Sequence, residues 1–488
     1  MGSLRRNRPR RPARSNGSEC GTTFKGECAT IEVPVDWTRP TWKTFQLAIG
    51  RLKALEPTKR IGVLVAHPGG PGVSGIDTYI VGRRIPDDSP LRKYFDIVSV
   101  DPRGVARSNA VTCSGDLVSQ TPTTFPATET EYLNLLNFND KLAQDCRAHT
   151  GPLFDYIDTA SASRDVDAIR AALGLQRISF FGASYGTQVG QQYAELFPHR
   201  IRAIALHSNM DHSMTSAFQY LKTTTEDQEA SYLEFAGWCD RTSACALHGR
   251  NPVAVWDKLH ALAEAGNLVD PQDGTKLSSE ALRTEMFVQS YRPKTHWFPL
   301  ASRLAALADH NEQRATIAQP RSAANAVENP YPAIWCSDWR WDIDSFAELD
   351  LYRRYLANRV APHTKLSPFW SDVTMCLGWS GPFNNPQHRL AIRNTPTILI
   401  TKSRHDVGTP KAWTYAVAQQ IPNSVLLEYD GVGHGVFRIS TCGRQLIEMY
   451  LTYLVTPPRG THCAAEYPSQ PDAAAQANGW IDPPGHRN

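Results

Sequence analysis

The chain has 488 residues, 41% of them hydrophobic and 20% charged, with a formal net charge of +3. That length exceeds one small core and points to one large α/β domain with a sizeable insertion, or to two domains. The near-neutral balance argues against a nucleic-acid partner, and no apolar run approaches the ~20 residues of a membrane span.

Arg5, Arg6, Arg8, Arg10, Arg11 and Arg14 crowd the amino terminus, so residues 1–19 read as a solvated, disordered basic arm. Residues 29–35 and 44–52 alternate as strands, with Pro40 in the turn between them. Ile61-Gly62-Val63-Leu64-Val65-Ala66 is a continuous apolar run, the signature of a strand buried on both faces. It ends in a Gly/Pro-rich segment from His67 to Gly75. Phe95 to Val100 is another buried strand, ending at Asp101-Pro102-Arg103-Gly104. Val166, Ile169 and Leu173 recur at helical spacing, and Gly174 stops that helix. Ile178 to Phe181 and Ile201 to Leu206 are strands on either side of a helix running from Thr187 to Leu196. The strand rhythm then stops. From Asp211 to Asn394 the pattern is helical and Trp-rich, as in 253–265 and 346–359. Strands return at 396–401 and 425–429, followed by a helix at 445–454. Strands alternating with helices predict a mostly parallel sheet with helices on both faces. The expected layout is therefore an α/β core over 20–210 and 395–465, a helical cap over 211–394, and a tail over 466–488.

Ten cysteines are many for a reducing compartment, and no C-x-x-C occurs. Spacing suggests the neighbours Cys20–Cys28, Cys113–Cys146, Cys239–Cys245, Cys336–Cys376 and Cys442–Cys463. Sequence alone does not fix that connectivity, and ten buried thiols are the alternative. Disulfides imply secretion, with any export signal already removed, since no apolar stretch follows the charged amino terminus. A cytoplasmic protein is the alternative.

Gly182-Ala183-Ser184-Tyr185-Gly186 is a G-x-S-x-G string between a strand and a helix. A serine on that turn is lifted to the top of the sheet with its hydroxyl exposed. A hydroxyl becomes nucleophilic only when a base takes its proton, and the base needs an orienting carboxylate. In this strand–turn–helix setting the chain order is serine, acid, histidine. The two returning strands lead into Asp406 and His434, which are expected to be the acid and the base. Asp430 competes as the acid; His405 fits the order less well as the base. The oxyanion formed in acyl transfer needs preorganised N–H groups. Those of Tyr185 and Gly70 are expected to supply them, because Pro71 has none.

Pro68-Gly69-Gly70-Pro71-Gly72-Val73-Ser74-Gly75, Asp101-Pro102-Arg103-Gly104, the Ser184 string and Asp406-Val407-Gly408-Thr409-Pro410 resemble the secreted tripeptidyl aminopeptidases of actinobacteria. These belong with the proline iminopeptidases among the α/β-hydrolases. The resemblance runs from Cys20 to Cys463 and includes Trp238-Cys239 and Cys336 with Asp338 in the cap. It implies an α/β-hydrolase fold with a large helical cap, disulfides, export, no metal or cofactor, and removal of short peptides from a free amino terminus. A monomer acting on a short peptide or other small molecule is expected. The family's Asp-Gly-x-x-Asp-Pro segment is replaced here by His207-Ser208-Asn209-Met210-Asp211-His212, and Ala106 replaces a usual glycine. Relatives of this architecture also act on esters, amides or lactones.

An aminopeptidase needs a buried carboxylate for the substrate's ammonium, because an unpaired buried charge is costly. Asp338 is one candidate, and Glu226, Glu229 and Glu234 lie on the first cap helix. His207 and Asn209 stand where the family's acid is missing. Trp335, Trp339, Trp341, Trp370 and Trp379 read either as a pocket lining or as packing between cap helices.

Overall fold

The computed structural model describes residues 18–20, 26–310 and 326–471. The arginine-rich arm up to residue 17 and the tail from 472 onward lie outside the described residues. In chain order the strands are β1 (Ser18–Glu19), β2 (Glu27–Pro34), β3 (Thr44–Leu52), β4 (Gly62–His67), β5 (Phe95–Val100), β6 (Thr112–Ser114), β7 (Ile178–Ala183), β8 (Ile201–His207), β9 (Ala326–Glu328), β10 (Ile398–His405), β11 (Ser424–Val432) and β12 (Thr461–Cys463).

Ten of these strands form one sheet in the order β1-β2-β3-β5-β4-β7-β8-β10-β11-β12. The pairs β1–β2, β2–β3 and β3–β5 are antiparallel. From β5 onward every pair is parallel. Alternation along β4 shows why its sequence is apolar throughout. Val63 and Val65 face one cluster with Val166, Ile169, Val189 and Tyr193. Leu64 and Ala66 face another with Ile76, Ile80, Ile447 and Leu451. Successive residues of a strand point to opposite faces, so a strand covered on both sides has no polar face to show.

The chain leaves the sheet at the end of β8 and rejoins it at β10, and these two strands are paired neighbours. Between them lie the helices Ala217–Arg241, Pro252–Glu264, Ser279–Gln289, Pro293–His310, Pro330–Asp338, Phe346–Tyr355 and Trp370–Thr374. The first is started by Ser216, whose hydroxyl accepts from the Gln219 N–H at 3.2 Å. This insertion has a cluster of its own around Tyr232, Phe235, Trp238, Trp256, Trp297 and Leu304. No helix among the described residues is long and apolar enough to cross a membrane.

Sequence reading missed one large element. The 22-residue helix Glu129–Thr150 branches from the core between β5 and β7 and packs on the insertion. Asn139 Nδ2 donates to the carbonyls of Thr374 and Leu377 at 2.9 and 2.8 Å. Its neighbour β6 pairs with β9 of the insertion. The helical layer is thus made from two excursions of the chain. All five disulfides follow neighbour pairing: Cys20–Cys28, Cys113–Cys146, Cys239–Cys245, Cys336–Cys376 and Cys442–Cys463.

Candidate active site

Ser184 stands between β7 and the helix Tyr185–Leu196 with φ 55° and ψ −128°. A non-glycine residue held there is strained, which is how a sharp strand-to-helix turn presents a side chain. The flanking glycines are steric necessities. A methyl group at Gly182 would lie 2.6 Å from the Gly186 carbonyl oxygen, and one at Gly186 would lie 2.7 Å from that of His67. The Gly-rich loop after β4 covers the serine closely. A methyl group at Gly69 would sit 3.4 Å from Ser184 Oγ. Gly70 follows with φ 106°. Tyr185, next to the serine, is buried and its hydroxyl lies 2.6 Å from Thr159 Oγ1.

Asp406 and His434 meet at the ends of β10 and β11, with His434 Nδ1 2.7 Å from Asp406 Oδ1. The carboxylate is fully engaged. Oδ1 also accepts from the N–H groups of Gly408 and Thr409, and Oδ2 from the hydroxyls of Ser208 and Thr409. Four donors besides the imidazole leave the acid no freedom to turn. A methyl group at Gly408 would lie 2.7 Å from His434 Nδ1, so only glycine admits the ring there. Tyr291, from the insertion, backs the imidazole: its carbonyl accepts the His434 N–H at 3.0 Å and the rings are 4.6 Å apart.

The competing residues lie elsewhere. Asp430 pairs with exposed His462 at 2.9 Å. His405 faces Asp227 at 3.7 Å.

Several expected substrate ligands need correction. Asp338 is fully closed off from solvent. Its carboxylate accepts from the Thr159 N–H and hydroxyl, from Gln188 Nε2 and from Asn385 Nδ2. Burial, with Asp158 nearby, pushes it up to about 7. It joins insertion to core beneath Tyr185 and offers nothing to a ligand. Asn209 is likewise buried and donates to the Thr401 carbonyl at 3.0 Å. Glu234 lies beside Arg241 at 3.4 Å on the rim of its helix. Glu226 pairs with Lys222, and Glu229 caps the 363–364 backbone. Trp335, Trp339 and Trp341 form a stack packed on Tyr220, so they are interior packing and not a pocket lining. His207 remains close to the centre. A methyl group at Gly435, next to His434, would lie 3.4 Å from its ring.

Two residues escaped sequence reading. Ser208 donates to Asp406 Oδ2 at 2.7 Å and accepts from the Gly435 N–H at 2.7 Å, tying the acid to the histidine's loop. Its φ is 63°. Asp372 of the insertion is buried and accepts from the Tyr220 and Tyr331 hydroxyls at 2.7 and 3.0 Å. Burial pushes it up to about 7. The backbone of Tyr331, one of its two partners, lies against the covering loop: its nitrogen would be 3.4 Å from a methyl at Gly72. Burial, then Asp406 and Asp372, raise the Tyr291 phenol.

The family model described as "TAP-like protein" matches residues 363–463, which carry both Asp406 and His434. The chain has the α/β-hydrolase fold, and its match to the TAP-like family lies in that segment. It is 29% identical to the serine protease Hip1 of Mycobacterium tuberculosis, over 93% of this chain and 90% of that protein. Against the tripeptidyl aminopeptidase of Streptomyces lividans the figures are 26%, 91% and 85%. Against carboxylesterase B of Mycobacterium tuberculosis they are 28%, 90% and 86%. The enzyme is a serine hydrolase.

Proposed function

We propose that the enzyme is an exported, monomeric serine exopeptidase that cleaves an amide bond near the free amino terminus of a short peptide. Ser184 Oγ attacks the scissile carbonyl carbon while His434 Nε2 takes its proton. Asp406 holds the imidazole through Nδ1. The oxyanion is received by the N–H groups of Tyr185 and Gly70. Collapse breaks the C–N bond, and His434 returns the proton to the departing amine. Water, activated by the same imidazole, then hydrolyses the acyl-enzyme. Asp372, whose two oxygens each accept from one tyrosine hydroxyl where Asp338 accepts from four donors, receives the substrate's ammonium.

The observation that carries the chemistry is the strained Ser184 turn lying under the Gly69–Gly70 loop at the same sheet edge as the His434–Asp406 pair. The tripeptidyl aminopeptidase and serine protease relatives support the peptide substrate. Five disulfides support an oxidising compartment. A neutral fluorophosphonate should label the wild type and not Ser184→Ala. A panel of tripeptidyl amides and short acyl esters should show amide turnover in the wild type. Turnover of esters alone would reject the peptidase reading in favour of an esterase, the activity named for the third relative.

A further inference from the structure

The insertion helix Pro330–Asp338 meets both segments that carry the expected oxyanion donors, one at each end. Its first turn lies against the covering loop. A methyl group at Gly72 would be 2.9 Å from Pro330 Cγ and 3.4 Å from the Tyr331 nitrogen, so loop and helix are in close contact. Gly70 stands two residues earlier in that loop. The last residue of the helix, Asp338, reaches Tyr185 through Thr159. Asp338 Oδ2 accepts from the Thr159 hydroxyl, and Oδ1 accepts from the Thr159 N–H at 3.0 Å. Thr159 Oγ1 is in turn 2.6 Å from the Tyr185 hydroxyl. A threonine hydroxyl has one proton to give. That of Thr159 goes to Asp338, so the phenol donates in the 2.6 Å contact, and the chain runs from Tyr185 to Thr159 to Asp338. All three residues are buried.

The helix is fixed along its length. The Tyr331 hydroxyl donates to Asp372 Oδ1 at 3.0 Å, and Trp335 Nε1 donates to the Asp372 carbonyl at 2.8 Å. Cys336 is bonded to Cys376. The Ser337 carbonyl accepts from the N–H groups of Asn384 and Asn385 at 3.2 Å, and the Asp338 carbonyl lies 2.9 Å from His212 Nε2. Asn385 Nδ2 and Gln188 Nε2 donate to the Asp338 carboxylate at 2.7 and 3.3 Å, so the acid cannot swing away from Thr159. At the core end, Tyr185 opens the helix Tyr185–Leu196, so its N–H is one of those a helix leaves without an internal partner. It also follows the strained Ser184, a conformation that persists only where the surroundings hold it. A tyrosine side chain turns about two torsions, so pinning its hydroxyl restrains the whole residue.

We propose that this insertion helix sets the separation of the two oxyanion donors, with Asp338 and Thr159 as positioning residues that act through the Tyr185 hydroxyl. The inference rests on the Tyr185 and Gly70 N–H groups receiving the oxyanion as read above. Such donors work only when they stand about 2.7–3.1 Å from the place where the charge develops. That charge is absent from the bound substrate, so cutting the brace lowers kcat and leaves KM unchanged. The insertion thus takes part in the chemical step through a link that touches no substrate atom.

The test compares Ala-Pro-Ala trifluoromethyl ketone with the matching trifluoromethyl carbinol. Ser184 Oγ adds to the ketone carbon, its proton passes to His434 Nε2, and the carbonyl oxygen becomes an oxyanion. The carbinol has no carbonyl to attack. The wild type should bind the ketone more tightly. In Tyr185→Phe and in Thr159→Val the ketone Ki should rise by about tenfold, part of the roughly 10²–10³-fold lost when a donor is removed outright. The carbinol Ki should stay unchanged, and kcat should fall with the ketone affinity. Either variant cuts the link by itself, so the double variant should be no worse than each single one. Thr159→Ser keeps the hydroxyl and should keep the wild-type ratio. The carbon resonance of the labelled hemiketal should titrate at higher pH in the two cutting variants, which a loss of stability alone does not produce. A ketone-to-carbinol ratio unchanged in both variants, additive losses in the double variant, or equal losses in Thr159→Ser and Thr159→Val overturn the proposal and leave the oxyanion donors as read. A wild type that binds ketone and carbinol equally rejects those donors and the proposal with them. Octyl trifluoromethyl ketone and its carbinol repeat the comparison without a peptide, so an enzyme that turns over esters alone is tested in the same way.

Discussion

The carboxylate of Asp406 at the strand ends and the indoles of the helical insertion handle their polar atoms in opposite ways. At the strand ends Asp406 has every lone pair engaged, and Ser208 locks it to the Gly435 loop. In the insertion Asp338 and Asp372 are pushed up to about 7, and the indole N–H groups of Trp297, Trp339, Trp341, Trp370 and Trp379 are buried without partners. Complete satisfaction fixes one geometry, which proton transfer requires. Incomplete satisfaction leaves groups able to accept a guest or to repack around it.

Loosening the insertion gives the largest expected effect. Replacing Cys336 and Cys376 by serine opens a 40-residue link within the insertion and should cost about 2–4 kcal/mol in urea denaturation. Fluorophosphonate labelling of Ser184 at 25 °C should persist while peptide turnover falls. Equal loss of both would mean that the core does not hold its site alone. Next is Ser208→Ala, which removes one donor to Asp406 and should lower kcat by about 10–100-fold with little change in KM. A change in KM alone would show that Ser208 contacts substrate instead of positioning the acid.

Asp372→Asn should act on the other side of the comparison. The preference for a free over an acetylated amino terminus should drop by about tenfold in kcat/KM. An unchanged preference would return Asp372 to a packing role. The smallest effect concerns acidity. The folded pKa of Asp338, about 7, exceeds its ordinary value of 3.8. The folded state therefore keeps a proton that the unfolded chain releases, and stability at this site falls as pH rises from about 4 to 7. Asp338→Asn should remove that slope, about 1 kcal/mol per pH unit, in denaturation curves taken at pH 5 and pH 7. Parallel wild-type and variant profiles would place the proton elsewhere.

The sheet was legible because β4, β5, β7, β8 and β10 are buried along most of their length and are rich in apolar residues. The helix Glu129–Thr150 was not, because it is polar around most of its surface and buries only Tyr132, Leu135, Asn139, Leu142, Ala143 and Cys146. The helix expected over 346–359 ends as regular α-structure at Tyr355 and continues as a wider turn over Leu356–Val360, a change that apolar spacing does not encode. At the site, Ser184, Asp406 and His434 follow strand ends and stand out locally. Ser208 and Asp372 matter through partners hundreds of residues or a whole excursion away.

The crossover between β8 and β10 has a further consequence. Two parallel neighbours need only about a dozen residues to connect them. The chain from His207 to Ile398 is many times longer, and β8 and β10 stay in register from Ile204 opposite Ile398 to His207 opposite Thr401. The sheet is indifferent to what fills that span. The insertion is in this sense an exchangeable fitting on a fixed socket: substrate choice can be rewritten there by wholesale replacement, whereas the few residues around Ser208 and Gly408 tolerate almost none.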